Sequence, residues 1–115
     1  MEKKKVTRLI EGVLIVPDVT NEGNPVDSGK LDAVRDRILS VFGGYQEESI
    51  FGAWRDESTE EIYNEPALRY TIALSSTKAA RESLFSLALE IGALLEQKAV
   101  YVSVNTGVEA FILDV

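Results

Sequence analysis

The sequence predicts a single α+β domain in which an antiparallel sheet carries two helices on one face. Three observations predict it. Two stretches place apolar residues at three- and four-residue steps, as amphipathic helices do. The stretches around them alternate or run in β-branched residues, as strands do. Their order is strand, helix, strand, strand, helix, strand. At 115 residues and 45% hydrophobic, the chain is long enough for one core and too short for two.

The first strand is expected over Val6 to Val16, ending in the apolar run VLIV before Pro17. A run apolar on both faces suits a central strand. Residues 17–29 hold a cluster of Asn, Asp, Gly and Pro and read as a loop. It exceeds the usual connection length, which makes it a candidate lid or contact loop. Asp27 or Ser28 can cap the helix that follows, where Leu31, Val34, Ile38, Val41 and Phe42 form the apolar stripe. Gly43 stands where a helix end favours a left-handed residue.

Tyr45 to Arg55 reads as a strand with Ile50 and Trp54 on one face and Phe51 and Ala53 on the other. Gly52 within it suggests a bulge or a close approach. A polar turn, Asp56 to Glu60, leads to a strand from about Ile62 to Leu74. Leu68, Tyr70, Ile72 and Leu74 share one face there, and Pro66 confines the first part to an edge or bulge. Ser75, Ser76 and Thr77 are capping choices for a long helix whose apolar face runs from Ala80 to Leu95. Ala99 to Val104, a loop Asn105-Thr106-Gly107 and Val108 to Leu113 are expected to form a closing hairpin. The whole is the split βαβ pattern of ferredoxin-like domains, βαββαβ, with an extra C-terminal strand. Apolar side chains fall on both sheet faces, so the uncovered face is expected to be buried in a homodimer.

Composition excludes several functions. The chain has no cysteine and no histidine, which removes disulfides, thiolate nucleophiles, imidazole-held metals and His-dependent triads. No cofactor is implied. Nineteen acids against twelve bases give a net charge of −7, which repels a nucleic-acid backbone. Residues 1–5 form a basic tail that no signal-peptide core follows, and no apolar run is long enough for a membrane span. A cytoplasmic protein is expected.

The stretch from Phe42 to Pro66 concentrates what chemistry the chain offers. If Arg55 and Glu65 lie across the hairpin, they form either an exposed ion pair or part of a cleft. In the cleft reading Trp54 is an apolar wall, Arg55 binds an anion, Glu65 is a general base and Tyr70 completes the lining. Glu47, Glu48, Asp56, Glu57, Glu60, Glu61 and Glu65 crowd nineteen residues but lack the spacing of a calcium loop, so no metal site is expected. An acidic edge of this kind deters strand aggregation and attracts a basic protein surface.

Phe42-Gly43-Gly44, Gly52-x-Trp54-Arg55, Glu65 and Gln97-x-x-Val100 occur in a succession that resembles a bacterial domain-of-unknown-function family. The likeness covers about Leu31 to Val104. Lys98-Ala99 and Tyr45-Gln46 depart from its usual pattern. It implies the ferredoxin-like fold and no activity.

Two functions follow as expectations. The first is a non-catalytic, dimeric module that binds or inhibits a basic protein through Glu47, Glu48, Asp56, Glu57, Glu60 and Glu61. The alternative is a small-molecule binder or cofactor-independent enzyme with a cleft around Trp54 and Glu65.

Overall fold

A computed structural model describes residues 6–97 and 100–113. The order is β1 (Val6–Pro17), α1 (Ser28–Phe42), β2 (Gln46–Arg55), β3 (Ile62–Leu74), α2 (Lys78–Leu94) and β4 (Tyr101–Leu113). The four strands form one antiparallel sheet in the order β2-β3-β1-β4, which leaves β2 and β4 at its edges.

Alternation along β1 and β3 decides where the core lies. Ile10, Gly12, Leu14 and Val16 pair with Leu74, Ile72, Tyr70 and Leu68, so all eight share one face. Leu31, Val34 and Ile38 of α1 and Leu84, Leu87, Ala88, Ile91 and Leu95 of α2 join them in one buried cluster. Both helices therefore cover the same side of the sheet. Gly12 sets how closely α2 approaches: a Cβ there would lie 2.5 Å from Leu74 Cδ2 and 2.8 Å from Leu84 Cδ2. Gly92 plays the same part at the approach to β4, where a Cβ would come within 3.1 Å of Val100 Cγ2.

The helix ends follow the sequence. Asp27 caps α1 by accepting the Gly29 N–H at 3.1 Å, and Thr77 caps α2 by accepting the Ala80 N–H at 3.1 Å. Gly43 closes α1 in the left-handed region at φ 81°, its N–H donating to the Leu39 carbonyl at 2.8 Å.

The loop after β1 is shorter and tighter than the sequence suggests. Only residues 18–27 lie between β1 and α1. Val19 bridges to Pro25, and the Thr20 N–H donates to the Asn24 carbonyl at 2.7 Å. Asn21 Nδ2 donates to the Glu96 carbonyl at 3.0 Å, and Val26 is buried in the core. A segment tied to the end of α2 and plugged by Val26 is a structural strap rather than a lid.

The C-terminal hairpin is also corrected. Asn105, Thr106 and Gly107 do not turn the chain; they lie inside β4, a single strand paired with β1 on both sides of them. The register steps from Leu9–Ala110 to Glu11–Asn105, so one residue of β1 faces a four-residue excursion of β4. The turn-like composition serves a bulge, and there is no seventh element among the described residues.

β3 has 13 residues and α2 has 17. At ~3.4 Å per strand residue and ~1.5 Å per helical residue, β3 outreaches α2 by roughly 19 Å. The β2–β3 hairpin therefore runs on past the helices, and the molecule measures 62 × 30 × 23 Å.

Candidate functional site

The β2–β3 ladder is continuous, so its register assigns each residue a face. Glu47 pairs with Tyr70, Phe51 with Pro66 and Arg55 with Ile62, and these lie on the helix side. Glu48 pairs with Arg69, Ile50 with Ala67 and Gly52 with Glu65, and these lie on the open face. Trp54 occupies the position opposite Tyr63.

The four residues expected to line one cleft are thus not brought together. Arg55 and Glu65 are on opposite faces, and a pairing across the hairpin does not form because three ladder positions separate them. Tyr70 is fully buried under the helices, its ring edge-on to Tyr45 with centroids 5.4 Å apart. Glu65 and the position of Trp54 remain close, at neighbouring rungs on the open-face side of the hairpin.

What the register does build is an open rung. Gly52 contributes no side chain opposite Glu65, and a Cβ there would meet no atom within 4 Å. Glu65 itself is half-buried. One rung inward stand Ile50 and Ala67, and one rung outward stand Tyr63 and the Trp54 position. The Tyr63 hydroxyl donates to Glu61 Oε2 at 2.7 Å, which raises its pKa. A glycine rung beside a carboxylate leaves the strand surface flat and open at that point.

The acidic residues separate into different roles. Glu47 is an anchor: Arg35 of α1 donates to it through Nε at 2.7 Å and Nη2 at 3.4 Å, and through Nη1 to Asp32 at 3.0 Å. The fork holds the Glu47 pKa below the usual carboxylate range and raises that of Arg35. The Tyr70 hydroxyl is buried beside this pair without a hydrogen bond of good geometry, and burial first, then Glu47, raises its pKa. Asp56 folds its own turn, Oδ1 accepting from the Ser58 N–H at 2.9 Å and hydroxyl at 2.6 Å. Glu60 has φ 61° in that turn and points its backbone N–H to the Asp56 carbonyl at 2.7 Å. Glu47 and Glu48, on opposite faces, do not share a surface.

Two ion pairs were not foreseen from the sequence. Besides Arg35–Glu47, Arg37 clamps Glu90 through Nε at 2.7 Å and Nη2 at 3.1 Å, joining the two helices. The only sequence signal was that Arg35 and Arg37 flank the buried Val34 and Ile38 on the helix wheel. Gln97 acts as a strap fastener, its Nε2 donating to the carbonyls of Val19 and Leu95 at 3.4 Å. Among the described residues no group of carboxylates is arranged to hold a metal ion, and no helix is long and apolar enough to cross a membrane.

No protein-family model and no curated protein sequence matches the chain. Several solved structures share its fold. A phage SAM lyase in complex with S-methyl-5'-thioadenosine superposes with a TM-score of 0.68 at 14% identity, covering 92% of this chain and 90% of the other. A phage SAM lyase in its apo state gives 0.65 at 13% identity, over 99% and 94% of the two chains. CutA from Synechococcus elongatus gives 0.57 at 12% identity, over 94% and 85%. At these identities the likeness concerns the fold, and the CutA likeness fits a ferredoxin-like α+β arrangement.

Proposed function

We propose that the protein is a cofactor-independent enzyme or binder for a sulfonium nucleoside of the S-adenosylmethionine type, working as a homo-oligomer. The open glycine rung opposite Glu65 carries this reading, because it leaves flat strand backbone next to a carboxylate. The similarity to a SAM lyase that holds S-methyl-5'-thioadenosine supports it, since that fold match runs nearly end to end in both chains.

The chemistry suits the residues. An adenine ring is flat and apolar, and S-adenosylmethionine carries a sulfonium and an α-ammonium. Glu65 supplies the negative charge that holds such a cation, within a chain whose net charge of −7 attracts it. Release of methylthioadenosine breaks the bond between sulfur and the amino-acid γ-carbon, with the electron pair passing to sulfur. An oxygen of the substrate's own α-carboxylate forms the new bond to that carbon and closes a five-membered lactone. The leaving group discharges itself, so the site's tasks are orientation and exclusion of water.

The test is to incubate the protein with S-adenosylmethionine and follow methylthioadenosine by chromatography, beside calorimetric titration with methylthioadenosine. Turnover that falls by ~10²-fold or more in Glu65→Gln, with the fold retained, is expected for a group acting on the substrate. Absence of both turnover and binding at millimolar ligand would overturn the reading.

A protein-binding role is the second reading, favoured by the turn between β2 and β3, where Asp56, Glu57, Glu60 and Glu61 follow one another without a base. Binding of this kind weakens steeply with salt.

A further inference from the structure

The open face of the β2–β3 hairpin carries its charges in a fixed order. Inward from Glu65 and its glycine, the rungs are Ile50–Ala67 and then Glu48–Arg69. Successive rungs on one face are ~7 Å apart, so about 14 Å separates the backbone at Glu65 from that at Arg69. Both side chains are long enough to lean across part of that span.

Arg69 is the one cationic residue at an open-face position of this hairpin. Glu48 stands directly opposite it, where unlike charges ordinarily join. Among the described residues, however, neither forms an ion pair or a hydrogen bond, and both are exposed. The adjacent Glu47, on the other face, is taken up by Arg35. The rung thus presents an acid and a base side by side, each open to a partner from outside.

That pair matches an α-amino-acid head, which carries an ammonium and a carboxylate on one carbon. The base is needed there on charge grounds. A chain of net charge −7 attracts a sulfonium and an ammonium, but it repels a carboxylate unless a local cation receives it. A guanidinium does so through two parallel hydrogen bonds. Between Glu65 and this rung lie the half-buried Ile50 and the buried Ala67, an apolar step suited to methylene carbons.

We propose that Glu48 and Arg69 form the subsite for the amino-acid head of S-adenosylmethionine, Arg69 binding the carboxylate and Glu48 the ammonium. This deepens the proposed function and rests on it. The substrate lies along the hairpin with its sulfur at Glu65, its β- and γ-carbons over Ile50 and Ala67, and its head at the inner rung. That order sets the carboxylate on the side of the γ-carbon away from sulfur, where in-line closure of the lactone needs it. Methylthioadenosine lacks the head and makes no use of the subsite.

Calorimetric titration of the full chain with S-adenosylmethionine, its decarboxylated form and methylthioadenosine tests the assignment. Arg69→Gln is expected to weaken S-adenosylmethionine about ten- to a hundredfold, as for loss of a charged hydrogen-bonded pair, and to change the other two by less than about twofold. Glu48→Gln is expected to weaken both amine-bearing ligands and to spare methylthioadenosine. Both side chains are exposed, so far-ultraviolet dichroism should not change. Should a variant fail to fold, the wild type decides. It should bind S-adenosylmethionine more tightly than the decarboxylated form, although the latter carries more positive charge. Equal losses for all three ligands in Arg69→Gln, or no loss for any, overturn the inference. Wild-type binding of S-adenosylmethionine that ignores Arg69 sinks the subsite alone; binding of neither S-adenosylmethionine nor methylthioadenosine sinks the proposed function and the subsite with it.

Discussion

The two halves of the β2–β3 hairpin are built from the same two strands and have opposite fates. In the inner half, Tyr70 and Leu68 lie under the helices and Glu47 is tied to Arg35. In the outer half, Phe51, Ile62 and Tyr63 keep much of their surface in water. The strand pattern is equally amphipathic in both, so the difference is one of coverage. An apolar side chain stabilises a fold only where another element removes it from water. The inner half is thus where the hairpin contributes to the chain's own stability, and the outer half contributes little to it.

The largest effect separating the halves belongs to the inner one. Leu84 is fully buried, so Leu84→Ala is expected to cost ~2–5 kcal/mol, read as a drop in the denaturation midpoint at constant m-value. Gly12→Val comes next at about 1–3 kcal/mol, since its side chain must displace the buried ends of Leu74 and Leu84. Calorimetry showing no loss of Tm would mean that α2 can ride outward without cost.

Glu47→Gln is expected to cost ~1 kcal/mol at neutral pH, because both partners of the ion pair are mostly shielded. Its pH dependence has a definite sign. The Glu47 pKa is lowered in the folded state, so its contribution is present above the unfolded value and fades as pH falls through the folded one. The stability difference between wild type and Glu47→Gln should therefore shrink under acid. A difference that stays constant down to acid pH would show that the pair is not what Glu47 contributes.

Smallest is the expected effect of Phe51→Ser on the stability of the isolated chain, within ~0.5 kcal/mol because the side chain is already in water. A loss of several kcal/mol in a variant still at its wild-type mass would break the comparison between the halves. Tyr70→Phe sharpens it from the other side. The buried hydroxyl lacks a well-formed hydrogen bond, so its removal should leave Tm level or raise it. Binding of methylthioadenosine should be untouched, since Tyr70 faces the core.

The sequence by itself determined the periodic features. Helix stripes, caps at Asp27 and Thr77, the left-handed stop at Gly43 and the two faces of β3 are properties of neighbours along the chain, and they are written in local spacing. The tertiary structure decided everything that depends on which residue stands across from which. Arg55 and Glu65 are legible as a pair only if the hairpin register is known, and the actual register sends them to opposite faces while setting Glu65 against Gly52. Asn105-Thr106-Gly107 has the composition of a turn, but β1 is long enough to need a partner on both sides of it, and the segment became a bulge. Arg35 and Glu47, twelve residues apart, and Arg37 and Glu90, fifty-three apart, meet because packing brings their elements together. Local spacing fixes a residue's direction; only the closed sheet and the packed helices fix its neighbour.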